Sequence, residues 1–258
     1  MDTLTTMRAH APKYLVYAAS LLVGAVAWEV VGHRTDPIFL VPLSDTLVRL
    51  WELTSSGVLP RALVASLQVF GLGLFFGVVV GAPAGLLLAR IRFLREGAEG
   101  YVTAAYATPM VALIPFILAI FGFGFTPKVI VVFLFTVFPM IISVFEGARS
   151  VDEKFLEVAR SFRASEREIW RDVVLPYTLP FAMTGLRLAI ARGLVGMIAA
   201  EFFLAVAGLG ELILVTSRRF DTGGVFASIL VVCLLGVTFM AIGQRLEDRF
   251  AAWREVGR

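Results

Sequence analysis

Few side chains in this 258-residue sequence could do chemistry, and most of them lie in the wrong places for catalysis. Asp2, Asp36, Asp45, Asp152, Asp172, Asp221 and Asp248 all fall outside the long apolar stretches. No pair of buried aspartates is therefore available to cut a bond inside a membrane. The two histidines, His10 and His33, lie at or near the ends of such stretches, and neither G-x-S-x-G nor H-E-x-x-H occurs. Cys233, in VFASILVVCLLGVTF, is the single cysteine, so it forms no internal disulfide and no cysteine metal site alone. Lysine occurs only at 13, 128 and 154, and none follows a glycine-rich loop as a phosphate-binding lysine must. The expectation is a chain with no catalytic residue, no metal site and no nucleotide site of its own.

What remains is a set of charges in apolar surroundings, Arg187, Arg192 and Glu201, and one densely charged segment at 148–176. The elements that carry them follow from composition. Apolar residues make up 59% of the chain and charged residues 17%, with a mean hydropathy of +0.86. A soluble domain has about 45–50% and about 25%. Too few polar residues remain to cover a soluble surface, so the excess must face lipid, and a soluble enzyme is excluded. The net charge of +3 says little about nucleic acid, and no nucleic-acid partner is expected.

A helix needs about 20 apolar residues to cross a bilayer. Six stretches qualify, at roughly 14–32, 62–89, 101–124, 128–147, 185–207 and 225–243. The first also has features of a signal peptide, since Arg8 and Lys13 precede an apolar run containing Ala25 and Ala27. Trp28 and Glu29 follow it, which favours a retained span. With the N-terminus inside, fifteen Lys and Arg fall on the inner segments and six on the outer ones. Excess Lys and Arg mark the cytoplasmic side. The reading is a multi-pass protein of the cell (inner) membrane with both termini cytoplasmic. The external segment 33–60 should form a short helix at the outer surface.

Gly73, Gly77, Gly81 and Gly85 are each four apart on the second span. They make one smooth face that another backbone can approach closely, and packing inside one subunit is favoured over dimerisation. Pro83, Pro109, Pro115 and Pro139 also lie within spans and should kink them.

Residues 148–176 connect the fourth and fifth spans on the inner side. Val151, Phe155, Val158, Ala159 and Phe162 share one face of a helix. Ser165 followed by Glu168 is a capping box that starts a second helix, with Pro176 expected to begin its end. Connections are usually only about 4–6 residues. Two short amphipathic helices at a bend read instead as a docking projection.

Here the residues resemble a known family. Glu157, Val158 and Ala159, then Arg163, then Val173 to Pro176 match the spacing of E-A-A-x3-G-x9-I-x-L-P, the signature of ABC-importer permeases. TPMVALIPFILAIFGFG at 108–124, GLRLAIARGLVGMIAAEF at 185–202, GLGELI at 208–213 and the ending RLEDRFAAWR extend the likeness, as do Ser66 and Leu67. Together they resemble the integral membrane subunit of the nitrate/sulfonate/taurine group of binding-protein-dependent importers, over roughly residues 35–254.

The resemblance implies an all-α, type I importer permease fold in one transmembrane domain, 1–258, with a family-like core at about 60–243. It implies that the 148–176 loop sits in a groove of a separate ATPase subunit, which holds the ATP and Mg. Glu157, Ala159, Leu175 and Pro176 match the motif directly, and Ser165 caps the second coupling helix. Val158 and Val173 are mild changes. Arg163 stands where the motif has glycine. Either it takes the left-handed conformation itself, or the bend shifts toward Ala164 and Ser165. It could also add a contact to the ATPase.

In that fold, helices around the fifth span line the translocation pathway. Arg187, Arg192 and Glu201 are then candidate pathway residues, with Arg192 the one to attract an anion. The competing reading is structural: Arg187 lies near the inner interface and snorkels, Arg192 and Glu201 take partners from other helices, such as Glu29 or Glu146, and Glu201 shapes the outer end of the span. Arg192 and Glu201 are about 13 Å apart along a helix, too far to pair directly. The partners implied are two ATPase subunits, an extracytoplasmic binding protein and a second permease copy, giving a homodimer. The cargo implied is a small anionic solute, or alternatively a vitamin-precursor pyrimidine. An ion-coupled secondary transporter is the rival function, but it leaves the long charged loop unexplained.

Overall fold

A computed structural model describes residues 3–91, 97, 100, 104, 108–204 and 206–251, with side chains described between residues 15 and 249. Among the described residues every regular element is helical. Helix α1 spans Thr3–Arg34, α2 Leu43–Ser55 and α3 Val58–Arg90. A 3₁₀ turn, Met110–Leu113, leads into α4, Ile114–Phe121, and α5 follows at Phe125–Arg149. Then come α6 (Glu153–Ser161), α7 (Glu166–Ile169), a π turn at Trp170–Val174 and α8 (Leu175–Leu204). Helices α9 (Leu209–Arg218) and α10 (Thr222–Ala251) complete the order.

Among the described residues four helices are long and apolar enough to cross a bilayer, at Leu15–Arg34, Val58–Arg90, Phe125–Arg149 and Thr222–Arg249. A fifth is reached if the helix ending at Leu204 and the one after it count as one broken span. The expected third span, 101–124, differs. Residues 101–103 and 105–107 lie outside the described residues, as do Arg92 and Arg95, two of the arginines expected on the inner side. From Met110 to Phe121 the chain is helical for only twelve residues. Pro109 caps that piece at one end, and Gly122 and Gly124, at φ of 72° and 145°, stop it at the other.

A second difference lies at Pro176 and Pro180. The loop helix was expected to stop at Pro176 and the fifth span to start after Pro180. Instead the chain stays helical from Glu166 to Leu204. Proline cannot donate to the carbonyl four residues back. The chain absorbs this by widening one turn, with the Leu175 N–H donating to the Trp170 carbonyl five residues earlier. The Thr178 hydroxyl then donates to the Val174 carbonyl at 2.7 Å.

The chain groups into two compact units. One comprises residues 61–211 and 232 onward, and its centre is α5. Val131, Val132, Val137, Met140, Val144 and Phe145 of that helix are buried. The glycine stripe of α3 lies directly on it. A Cβ at Gly81 would sit 2.8 Å from the Met140 Cβ, and one at Gly85 would sit 2.6 Å from the Ile141 carbonyl oxygen. At Gly77 it would overlap the Thr136 side chain. Helix α8 meets α5 in the same manner, with Gly193 against Thr136, Gly196 against Phe135 and Gly185 against Ser143. Thr136 is therefore held between two glycine faces, its hydroxyl 3.0 Å from the Val132 carbonyl and 3.2 Å from that of Gly73. Phe70 of α3 stacks on Phe239 of α10 at 5.0 Å.

The other unit comprises residues up to 60 and 212–231. The expected short helix in 33–60 is α2. The end of α1 holds its start. The Trp28 indole N–H donates to the Val41 carbonyl at 3.0 Å, and Glu29 accepts from the Ser44 N–H at 3.0 Å and its hydroxyl at 2.8 Å. Arg49 of α2 donates twice to Asp221, at 3.0 and 2.7 Å, and once to Glu52 at 2.7 Å. Asp221 also accepts from the Gly224 N–H at the start of α10. The hydrogen bonds to Asp221 and Glu52 raise the Arg49 pKa. Partial burial pushes the Asp221 carboxyl up, but the Arg49 hydrogen bonds, the Gly224 N–H and the nearby arginine charges outweigh it. Its pKa ends below the ordinary 3.8.

Two outcomes follow. Gly77→Val should lower the thermal midpoint of the detergent-purified chain, by the equivalent of about 1–3 kcal/mol of overpacking. Gly24→Val, at a position with open space, should leave it unchanged. Thermal size-exclusion of both variants reads the difference. Because the Asp221 pKa is lowered on folding, its stabilisation is complete above 3.8 and is lost as pH falls through the lower folded value. The advantage of the native chain over Asp221→Asn, about 1 kcal/mol or less for a partly exposed pair, should accordingly vanish in acid. Melting curves of both across that range measure it.

Candidate functional site

The 148–176 loop is built from its caps inward. Asp152 caps α6 by accepting from the Lys154 N–H at 3.0 Å, and Glu153 pairs with Arg160 at 3.5 Å. The helix closes in a Schellman arrangement. The Ala164 N–H donates to the Ala159 carbonyl at 3.1 Å and the Arg163 N–H to that of Arg160 at 2.8 Å. The residue in the left-handed position is Arg163, with φ of 58°. The bend therefore stays at the motif's glycine position, and arginine carries a strain of about 1–2 kcal/mol there.

Ser165 opens α7 with a complete capping box. Its hydroxyl accepts from the Glu168 N–H at 3.4 Å, and the Glu168 carboxylate accepts from the Ser165 N–H at 2.7 Å. Ile169 and Val174 are buried and anchor the loop, and Trp170 receives the Arg90 guanidinium over its ring at 5.7 Å. The apolar face of α6 is different. Phe155, Val158 and Phe162 are 57%, 55% and 82% exposed. Phe155, Val158 and Ala159 line one side of an open groove of about 450 Å³, with Asp172, Val173 and Tyr177 across it. Glu157 and Pro176 are exposed, and Leu175 is about 43% exposed. Such a face, folded but uncovered, is suited to seat another protein surface.

The three charges of α8 are placed in three different settings. Arg187 donates to Glu247 of α10 at 2.9 Å, and Thr184 donates to the same carboxylate at 2.7 Å. Arg187 is thus ion-paired with a second helix of the same unit. Glu29 serves Ser44 and His33. Arg192 is exposed on a cavity of about 530 Å³ whose walls include Thr108, Val111, Leu134, Phe138 and Pro139.

Glu201 has no exposed surface at all. It accepts from the Ser66 hydroxyl at 2.7 Å and the Gly210 N–H at 2.8 Å, while Ser66 accepts from the Leu209 N–H at 2.8 Å. Lys128 donates to the Ala207 carbonyl beside it. The carboxylate is thus enclosed by protein and hydrogen-bonded at both oxygens. Glu201 ties the turn at Ala207 and Gly208, where φ is 95° and 126°, to α3 and α8.

Sequence reasoning missed Glu247 and Lys128 as members of these networks. Each sits near the end of an apolar stretch, where a charge reads as a flank. A lone serine such as Ser66 within an apolar run is the one available signal, since a buried hydroxyl needs a partner. Among the described residues no cluster of His, Cys, Asp or Glu could hold a metal.

Comparison with known proteins agrees with the geometry. Residues 73–252 match the family model described as binding-protein-dependent transport system inner membrane component. The riboflavin transport system permease RibX of Chloroflexus aurantiacus is 32% identical over 237 residues, covering 91% of this chain and 88% of its own. The formylaminopyrimidine transport permease ThiX of Halalkalibacterium halodurans is 30% identical, covering 89% and 92%. The taurine permease TauC of Escherichia coli is 30% identical, covering 84% and 81%. In fold, a chain of the MetNI methionine ABC transporter superposes with a TM-score of 0.64 at 21% identity, covering 74% of this chain and 95% of that one. Long apolar helices, an uncovered double-helix loop and these likenesses converge: the chain belongs to the family of inner membrane permease components of binding-protein-dependent ABC importers.

Proposed function

We propose that this chain forms the solute pathway of an ATP-driven importer and carries no catalysis itself. The observation that carries the reading is the 148–176 loop, whose helices are capped and anchored while the apolar face of α6 is left open. A pair of ATPase subunits, holding ATP and Mg, would grip two such loops, one from each copy of a permease homodimer. An extracytoplasmic binding protein would deliver the solute. Both chain termini and the loop would lie in the cytoplasm, following the excess of Lys and Arg on that side. The ion-coupled alternative loses its ground, because family membership accounts for the loop.

Arg192 supports a small anionic solute. A cation on a largely apolar cavity within a membrane helix is costly and marks a path or a pairing. Taurine and sulfonate permeases among the relatives agree with that charge. A second reading, a pyrimidine vitamin precursor, is favoured by the formylaminopyrimidine and riboflavin relatives and by Phe135 and Phe138 in the cavity wall.

Purification of the tagged chain from its native membrane in mild detergent should bring an ATP-hydrolysing subunit with it. Replacing the exposed Phe155 and Val158 by Asp should remove that subunit and leave the chain folded in the membrane. Retention of the ATPase by this double variant would refute the docking role. In reconstituted importer, Arg192→Gln should cut uptake of a sulfonate at least about tenfold while ATPase association stays intact. Unchanged sulfonate uptake would favour the neutral pyrimidine.

A further inference from the structure

The bend between α6 and α7 holds a residue that the fold of the loop does not require. Arg163 keeps φ at 58°, a conformation that glycine takes freely and other residues take rarely. The backbone bonds that close the bend come from the N–H groups of Arg163 and Ala164, and any residue but proline could supply them. The Arg163 guanidinium is exposed and has no ion pair among the described residues.

Four carboxylates of the loop are already engaged, and neither Glu157 nor Glu166 is ion-paired with Arg163 among the described residues. Asp152 caps α6, Glu153 meets Arg160, Glu168 closes the capping box and Asp172 holds Arg171 at 2.7 Å. Next to Arg163 stands Phe162, the most exposed large apolar side chain among the described residues. Arginine beside an aromatic is the composition of an interface anchor. Strained backbone also gathers where the position of a side chain is put to use.

We propose that Arg163 forms an ion pair with a carboxylate on the ATPase subunit, with Phe162 seated in an apolar pocket beside it. The inference rests on the coupling-loop reading above and names the chemistry of its partner. The ATPase surface facing the bend is apolar with an acidic residue within reach of the guanidinium. An ATPase lacking that acid is discriminated against, so the pair selects the cognate subunit.

The test measures binding of the purified ATPase subunit, stripped from the native complex and added back, to the full-length chain in detergent. Arg163→Gly should bind at least tenfold more weakly although its thermal midpoint rises as the strain is removed. Arg163→Glu should bind more weakly still. Added salt should weaken the native chain more than Arg163→Gly. If Arg163→Gly binds as tightly as the native chain or more so, the arginine is merely tolerated and the proposal is overturned. If the native chain itself does not bind the ATPase, the coupling-loop reading fails and the proposal falls with it.

Discussion

The distance between backbones at α5 is the constraint on which the membrane part of this protein depends. In lipid there is little hydrophobic force to push one apolar helix against another, so association relies on close contact and a few polar links. Here the contact comes from missing side chains. Gly73, Gly77, Gly81 and Gly85 on one helix, and Gly185, Gly193 and Gly196 on another, let two backbones lie against the same strip of α5. Thr136 shows the consequence most clearly. Its methyl and hydroxyl fill the space two glycines vacate, and the hydroxyl finds carbonyls on its own helix and on α3. A single bulky replacement would move a helix.

Where the packing ends, polarity takes over. Glu201 is fully enclosed, yet each of its carboxylate oxygens has a donor, from Ser66 and from Gly210. Ser66 passes the link on to the Leu209 N–H. A buried carboxyl stays tolerable only when it is hydrogen-bonded. The arrangement joins three separated stretches of sequence, and no apolar contact would fix the unusual backbone at Ala207 and Gly208 as firmly.

Much of this was legible in the sequence because lipid simplifies the code. Long apolar runs located the helices, the four-residue glycine spacing located a close contact, and Ser165 with Glu168 located the start of α7. Ends were read less well. Periodicity cannot show that a proline will be absorbed by a widened turn, so the continuity through Pro176 and Pro180 was missed. Partners were read least well. Arg187 pairs across sixty positions with Glu247, and nothing local to either residue signals a bond of that span. The placement of Arg163 sits between these cases: spacing gave its position at the bend, but only the backbone angle shows that the bend stayed there.

The unbroken helical course through Pro176 bears on how force would travel. From Glu166 to Leu204 the chain forms one strut of 39 residues, about 58 Å long at 1.5 Å per residue. Its first turns belong to the 148–176 loop, Arg192 lies about two-thirds of the way along, and its last turn carries Glu201. A strut of that length swings its far end by about 10 Å for each 10° of tilt. A push at the loop end would act through that whole length, with the widened turn at Trp170–Val174 and the bond missing at Pro180 as points of give.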